Sequence, residues 1–71
     1  MRGNEFIKRI RKYAKNAGLA YDWRPDLGKG SHGVLILGDR RTVVRHLKDE
    51  LKTGTYHAML KQLGITDHDI R

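Results

Sequence analysis

A chain of 71 residues with no cysteine has room for one domain and for neither a disulfide framework nor a thiolate metal site. Fifteen Lys and Arg against eight Asp and Glu leave a formal charge of +7, a field suited to a polyanion: nucleic acid, an acidic protein or an anionic membrane surface. The longest aliphatic run, Val34 to Leu37, is too short for a membrane span or a signal-peptide core, so the chain reads as a soluble, cytoplasmic protein with residues 1–71 in one domain.

Taken from the N-terminus, Phe6, Ile7, Ile10, Tyr13, Ala14 and Ala17 recur at helical spacing, which predicts a first helix capped by Asn4 and stopped by Gly18. Lys8, Arg9, Arg11, Lys12 and Lys15 lie between the apolar positions, as a solvated face or as phosphate contacts. No helix pairs such a basic face with a broad aromatic and leucine face, which makes the membrane surface the weakest of the three partners. Leu19 to Arg24 alternates, with Leu19, Tyr21 and Trp23 on one side and Asp22 and Arg24 on the other, and reads as a strand. Pro25, Asp26, Gly28 and Gly30 predict a loop.

Gly33 to Leu37 is then a second strand, Gly38 to Arg40 a hairpin turn and Arg41 to His46 a third strand, antiparallel to the second. In the second strand Val34 and Ile36 point one way, Leu35 and Leu37 the other, so helices covering one face leave aliphatic surface on the other. Tyr56, Met59, Leu60 and Leu63 form the stripe of a second helix, with Thr53 or Thr55 as cap and Gly64 as stop. The tail from Ile65 to Arg71 reads as frayed or as a single turn. The order α-β-β-β-α predicts an α+β two-layer sandwich, a three-stranded antiparallel sheet with two helices on one face.

The loop Gly28-Lys29-Gly30-Ser31-His32-Gly33 is a literal G-x-G-x-x-G. A dinucleotide site needs that pattern to open a helix, and here it opens a strand; a kinase-type loop lacks every other kinase element. Ser31 and His32 are adjacent and point apart in extended chain, which disfavours a nucleophile–base dyad. His32, His46, His57 and His68 have no metal-ligand spacing, so neither a metal nor any other cofactor is expected. His57 and His68 read as surface residues, while His46, at the end of the third strand, comes near the second strand and is a secondary candidate beside His32.

What remains is a histidine able to exchange protons near neutrality. Lys29, Ser31 and the backbone N–H groups of Gly30 and Gly33 surround it as donors to a phosphate oxygen. An exposed turn histidine of no consequence is one reading. A site for attack on an RNA phosphodiester by its own 2′-hydroxyl is the other. In that reading His32 is general base on the 2′-hydroxyl or general acid at the 5′-oxygen. Lys29 and the loop amides stabilise the transition state, and Arg24, Ser31, Arg45, Lys48 and Lys52 contact RNA.

Lys29-Gly30-Ser31-His32 before a strand, followed by Glu50-Leu51, Gly54-Thr55 and Met59-Leu60-Lys61-Gln62, resembles the HicA family of toxin ribonucleases. That family's pattern runs K-G-S-H, then K-E-L-x-x-G-T, then I/M-L-K-Q, and the likeness covers nearly the whole chain in order and spacing. The resemblance implies a fold of the double-stranded-RNA-binding-domain type, ribosome-independent cleavage of mRNA with His32 as the catalytic residue, and a HicB-type antitoxin that occludes the site. A cation-rich toxin suits such a partner. The sequence departs from the family at Gly33, where members often carry a second histidine or a bulky residue; a glycine there predicts a looser entry to the strand.

The competing class is a non-catalytic RNA-binding module on the same fold, gripping an A-form helix by shape and 2′-hydroxyl contacts. A DNA-binding regulator ranks last, because no helix-turn-helix or ribbon signature is present.

Overall fold

A computed structural model describes residues 1–28, 30 and 32–71. Its elements are α1 (Gly3–Ala17), β1 (Tyr21–Arg24), a short 3₁₀ turn (Pro25–Leu27), β2 (Gly33–Leu37), β3 (Arg40–Val44), α2 (Thr53–Leu63) and a terminal 3₁₀ turn (Asp67–Ile70). The sheet is antiparallel throughout in the order β1-β2-β3, so the α-β-β-β-α, α+β architecture is as the sequence predicts. Among the described residues no helix is long and apolar enough to cross a membrane.

Strand alternation sorts the sheet into two faces. Gly33, Leu35 and Leu37 of β2 and Thr42 and Val44 of β3 are buried. They share one core with Phe6, Ile10 and Ala14 of α1 and Met59, Leu60 and Leu63 of α2, which places both helices over the same face. On the opposite face the registers align Asp22, Ile36 and Arg41 in one row and Arg24, Val34 and Val43 in the next. That face keeps aliphatic surface between charges, with Val43 46% exposed. The buried hydroxyl of Thr42 is satisfied by donating to Gln62 Oε1 of α2, as burial of a polar group requires.

Several boundaries move from their predicted places, each for a local reason. The first helix starts at Gly3 with Arg2 as its cap residue, and no side chain caps it; Asn4 is already inside the helix. Two of the free N–H groups of its first turn are taken instead by a distant loop: Asn4 N–H donates to the Leu47 carbonyl at 2.9 Å and Gly3 N–H to the Asp49 carbonyl at 3.3 Å. The second helix starts at Thr53 after Lys52, again with no side-chain cap from Thr53 or Thr55.

β1 starts at Tyr21 rather than Leu19, because the Leu19 N–H is spent on the Ala14 carbonyl that closes α1. The predicted loop at Pro25 is a 3₁₀ turn with proline at its start, the position its fixed φ suits. β3 runs from Arg40 to Val44, and the last rung pairs Gly33 with Val44. Arg45 and His46 thus lie beyond the sheet.

The tail is not frayed. Its single turn is held by a capping box between Thr66 and Asp69, Ile70 is buried in the core, and Arg9 Nη1 reaches the Ile70 carbonyl at 3.4 Å. Tyr56 joins the same corner, its hydroxyl donating to Asp67 Oδ1 while its ring meets Phe6 edge-on at 5.9 Å.

Candidate functional site

The histidine loop enters β2 under two close approaches that explain Gly28 and Gly33. A Cβ on Gly28 would stand 2.2 Å from the His32 carbonyl oxygen and 2.3 Å from its carbon, so the chain after the 3₁₀ turn lies directly against the His32 backbone. A Cβ on Gly33 would stand 2.3 Å from Trp23 Cη2, because the indole of β1 lies across the start of β2. Gly33 is itself buried. The entry to the strand is therefore packed rather than loose, contrary to what a glycine after His32 suggests in isolation: Trp23 supplies the bulk that residue 33 lacks. The first and last glycines of the G-x-G-x-x-G pattern are thus a steric requirement on both sides of His32, while Gly30 takes a positive φ of 60 in open space, which separates the loop from a nucleotide loop.

His32 is half-buried immediately before β2. Its ring meets that of His46 edge-to-face, with centroids 5.9 Å apart and planes at 87°. The two histidines thus stand together beyond the Gly33–Val44 rung, at the end of the hairpin away from the Gly38–Asp39 turn. His46 has φ 48 and is, among the described residues, the non-glycine with a positive φ; histidine is one of the residue types that tolerate this region. Its carbonyl accepts the Asp49 N–H at 2.9 Å, and its Nδ1 lies 3.9 Å from Asp49 Oδ2. Beside the pair, His46, Leu47, Lys48 and Asp49 line a shallow cleft of about 430 Å³. Among the described residues no group of three or more His, Asp or Glu side chains is placed to hold a metal ion.

The cations expected to follow RNA divide into two kinds. Arg45, Lys48 and Lys52 are exposed, and Arg45 also borders a groove of about 420 Å³ between β3 and α2, with Thr42, Val43, Thr55, Met59 and Gln62. Arg24 is already occupied. Its Nε and Nη2 donate to the two carboxylate oxygens of Asp26 at 3.1 and 2.9 Å, and Nη1 stands 3.9 Å from Asp22. The hydrogen bond from Arg24, with its charge, holds the Asp26 carboxyl below its ordinary range, and the same bond raises the guanidinium. Lys29 and Ser31 lie outside the described residues.

Sequence reasoning put His32 at the centre of the site and gave His46 a secondary place, and the structure sets the two rings against each other. It missed Trp23 as the residue that packs the strand entry. The signal available was an aromatic on the neighbouring strand, on the same face as an otherwise unexplained glycine and two residues from it in register.

Fold and site together define a small basic α+β domain that presents a histidine where a glycine loop enters its central strand. Residues 4–65 match the model of the family described as HicA toxin of bacterial toxin-antitoxin, and the chain belongs to that family. Membership makes it the toxin of a toxin–antitoxin pair, with an antitoxin as its counterpart. No curated protein and no solved structure matches the chain.

Proposed function

We propose that this toxin is an endoribonuclease that cleaves mRNA without a metal ion, with His32 as a catalytic residue. The observation that carries the reading is the placement of His32: half-buried, its backbone flanked by Gly28 and Gly33, its ring beside a second imidazole on a chain of charge +7. RNA carries its own nucleophile in the 2′-hydroxyl. Cleavage then needs only proton transfer and stabilisation of charge at phosphorus, which histidine and nearby cations or amides supply. Lys29, Ser31, Arg45, Lys48 and Lys52 are the groups proposed to hold the phosphates, and Arg24 joins them only by leaving its carboxylates. The partner is a HicB-type antitoxin that covers the histidine corner, its acidic surface meeting the toxin's excess of cations.

The test is cleavage of an end-labelled RNA by the parent chain and by His32→Ala, both in EDTA, with the product ends identified. The expected result is 2′,3′-cyclic phosphate ends from the parent and a loss of about 10²–10⁴-fold in the folded variant. If both bind RNA equally and neither cuts it, the chain is a binding module and the ribonuclease reading fails.

A further inference from the structure

The ribonuclease reading gives one histidine a role; the structure places two imidazoles in contact. The backbone beneath the second is tied down. Carbonyls of the 46–49 turn accept the Asn4 N–H at 2.9 Å, the Gly3 N–H at 3.3 Å and the Asp49 N–H at 2.9 Å. Gly3 lies so close that its Cβ would stand 3.0 Å from Leu47 Cα and 3.3 Å from the His46 carbonyl oxygen. The side chain above is open: that of His46 is 61% exposed. A residue at φ 48, in a turn whose Leu47 and Asp49 carbonyls are hydrogen-bonded to α1, with its ring largely exposed beside a cleft, is arranged to offer that ring to a ligand rather than to pack. Left-handed backbone at a non-glycine residue costs energy and concentrates at functional positions.

Resting on the ribonuclease reading, we propose that His46 is the second proton-transfer group of the site, the general acid at the departing 5′-oxygen, with His32 as the base. In-line displacement puts the attacking and leaving oxygens on opposite sides of the phosphorus, so one ring cannot serve both at once. Two rings with centroids 5.9 Å apart can each approach one oxygen to the hydrogen-bond distance of about 2.6–3.2 Å that proton transfer needs.

The step balances. His32 takes the proton of the 2′-hydroxyl, the 2′-oxygen forms its bond to phosphorus, the bond from phosphorus to the 5′-oxygen breaks, and the imidazolium of His46 gives that oxygen a proton. The products are a 2′,3′-cyclic phosphate and a 5′-hydroxyl, and exchange with water resets both rings. The roles are divided by Asp49. Its carboxylate stands 3.9 Å from His46 Nδ1, a contact that is an ion pair only with the ring protonated, which is the form that donates.

The experiment compares an ordinary RNA dinucleotide with one whose leaving 5′-oxygen is replaced by sulfur, a thiolate that departs without an acid. The enzymes are the parent, His32→Ala and His46→Asn; asparagine tolerates the left-handed backbone and transfers no proton. His46→Asn is expected to lose about 10²–10⁴-fold on the oxygen substrate and to stay within about tenfold of the parent on the sulfur one, while His32→Ala loses on both. A His46→Asn that cuts both like the parent, or fails equally on both, overturns the assignment.

Should that variant fold poorly, Asp49→Asn keeps the backbone clamp and is read in the same way. A loss confined to the oxygen substrate supports the proposal, and no loss or an equal loss overturns it. If the parent cuts neither substrate, the ribonuclease reading falls and this inference with it, an outcome distinct from failure of His46 alone.

Discussion

The indole of Trp23 lies over Gly33 so closely that a methyl group on residue 33 would stand 2.3 Å from Cη2 and 2.7 Å from Cζ2. The two belong to neighbouring strands, Trp23 pairing with Leu35 two residues beyond Gly33, and both face the helices. Gly33→Ala must therefore displace the indole, an overpacking expected to cost about 1–3 kcal/mol. Because the obstacle is a side chain, combining it with Trp23→Leu should cost less than the sum of the single changes. Urea denaturation of the four proteins checks this, and additive losses would show that the indole is not what restricts position 33. Gly28→Ala differs in kind. Its Cβ meets the His32 backbone at 2.2 Å, no rotamer relieves that, and RNA cleavage should fall along with stability whatever is done at Trp23.

The division of the cations gives a second prediction. In RNA binding, each cation that neutralises a phosphate steepens the dependence of affinity on salt, by about 0.7–0.9 in the log–log slope. Arg45→Ala, Lys48→Ala and Lys52→Ala are each expected to flatten the slope by about that amount. Arg24→Ala should leave it unchanged, since the guanidinium is matched by Asp26 and Asp22. Titrations with labelled RNA at four salt concentrations decide it, made in the His32→Ala background, where cleavage is expected to be suppressed. An equal effect of Arg24→Ala would mean that RNA draws the guanidinium away from its carboxylates.

A third prediction concerns stability at alkaline pH. Burial, together with the hydrogen bond to Asp67, pushes the Tyr56 hydroxyl up from 10.0 to about 12. A group whose pKa is raised by folding holds its proton more tightly in the folded state, so its contribution is complete below pH 10 and is lost as pH climbs to about 12. The parent should therefore lose more Tm than Tyr56→Phe between neutral pH and the upper end of that window. At acid pH the partner works in the opposite sense: the Tyr56 and Arg71 hydrogen bonds lower the Asp67 carboxyl from 3.8, and that contribution disappears as pH falls below its ordinary value. Parallel melting curves for the two proteins that do not separate at high pH would show that the Tyr56–Asp67 bond does not form in solution.

What the amino-acid sequence determined was whatever depends on short spacing. The stripe of Phe6, Ile10 and Ala14, the stripe of Met59, Leu60 and Leu63, and the split of Val34-Leu35-Ile36-Leu37 between two faces follow from periods of 3.6 and 2 acting within a few residues. The core is built as those periods require. His32 was legible for the same reason, as the one histidine within the glycine loop. The tertiary structure alone decided what depends on residues far apart in the chain. Two donors of the first helix are satisfied by carbonyls near residue 48, so its start did not follow the Asn4 cap; the last turn is ordered because Ile70 reaches the core under Arg9. Gly33 reads as slack until Trp23 is brought across it, and His46 reads as the end of a strand until the 46–49 turn, pinned to the N-terminus of α1, sets its ring against His32. Local periodicity carries no information about which distant carbonyl, indole or imidazole will fill a given space; close packing of the folded chain settles that.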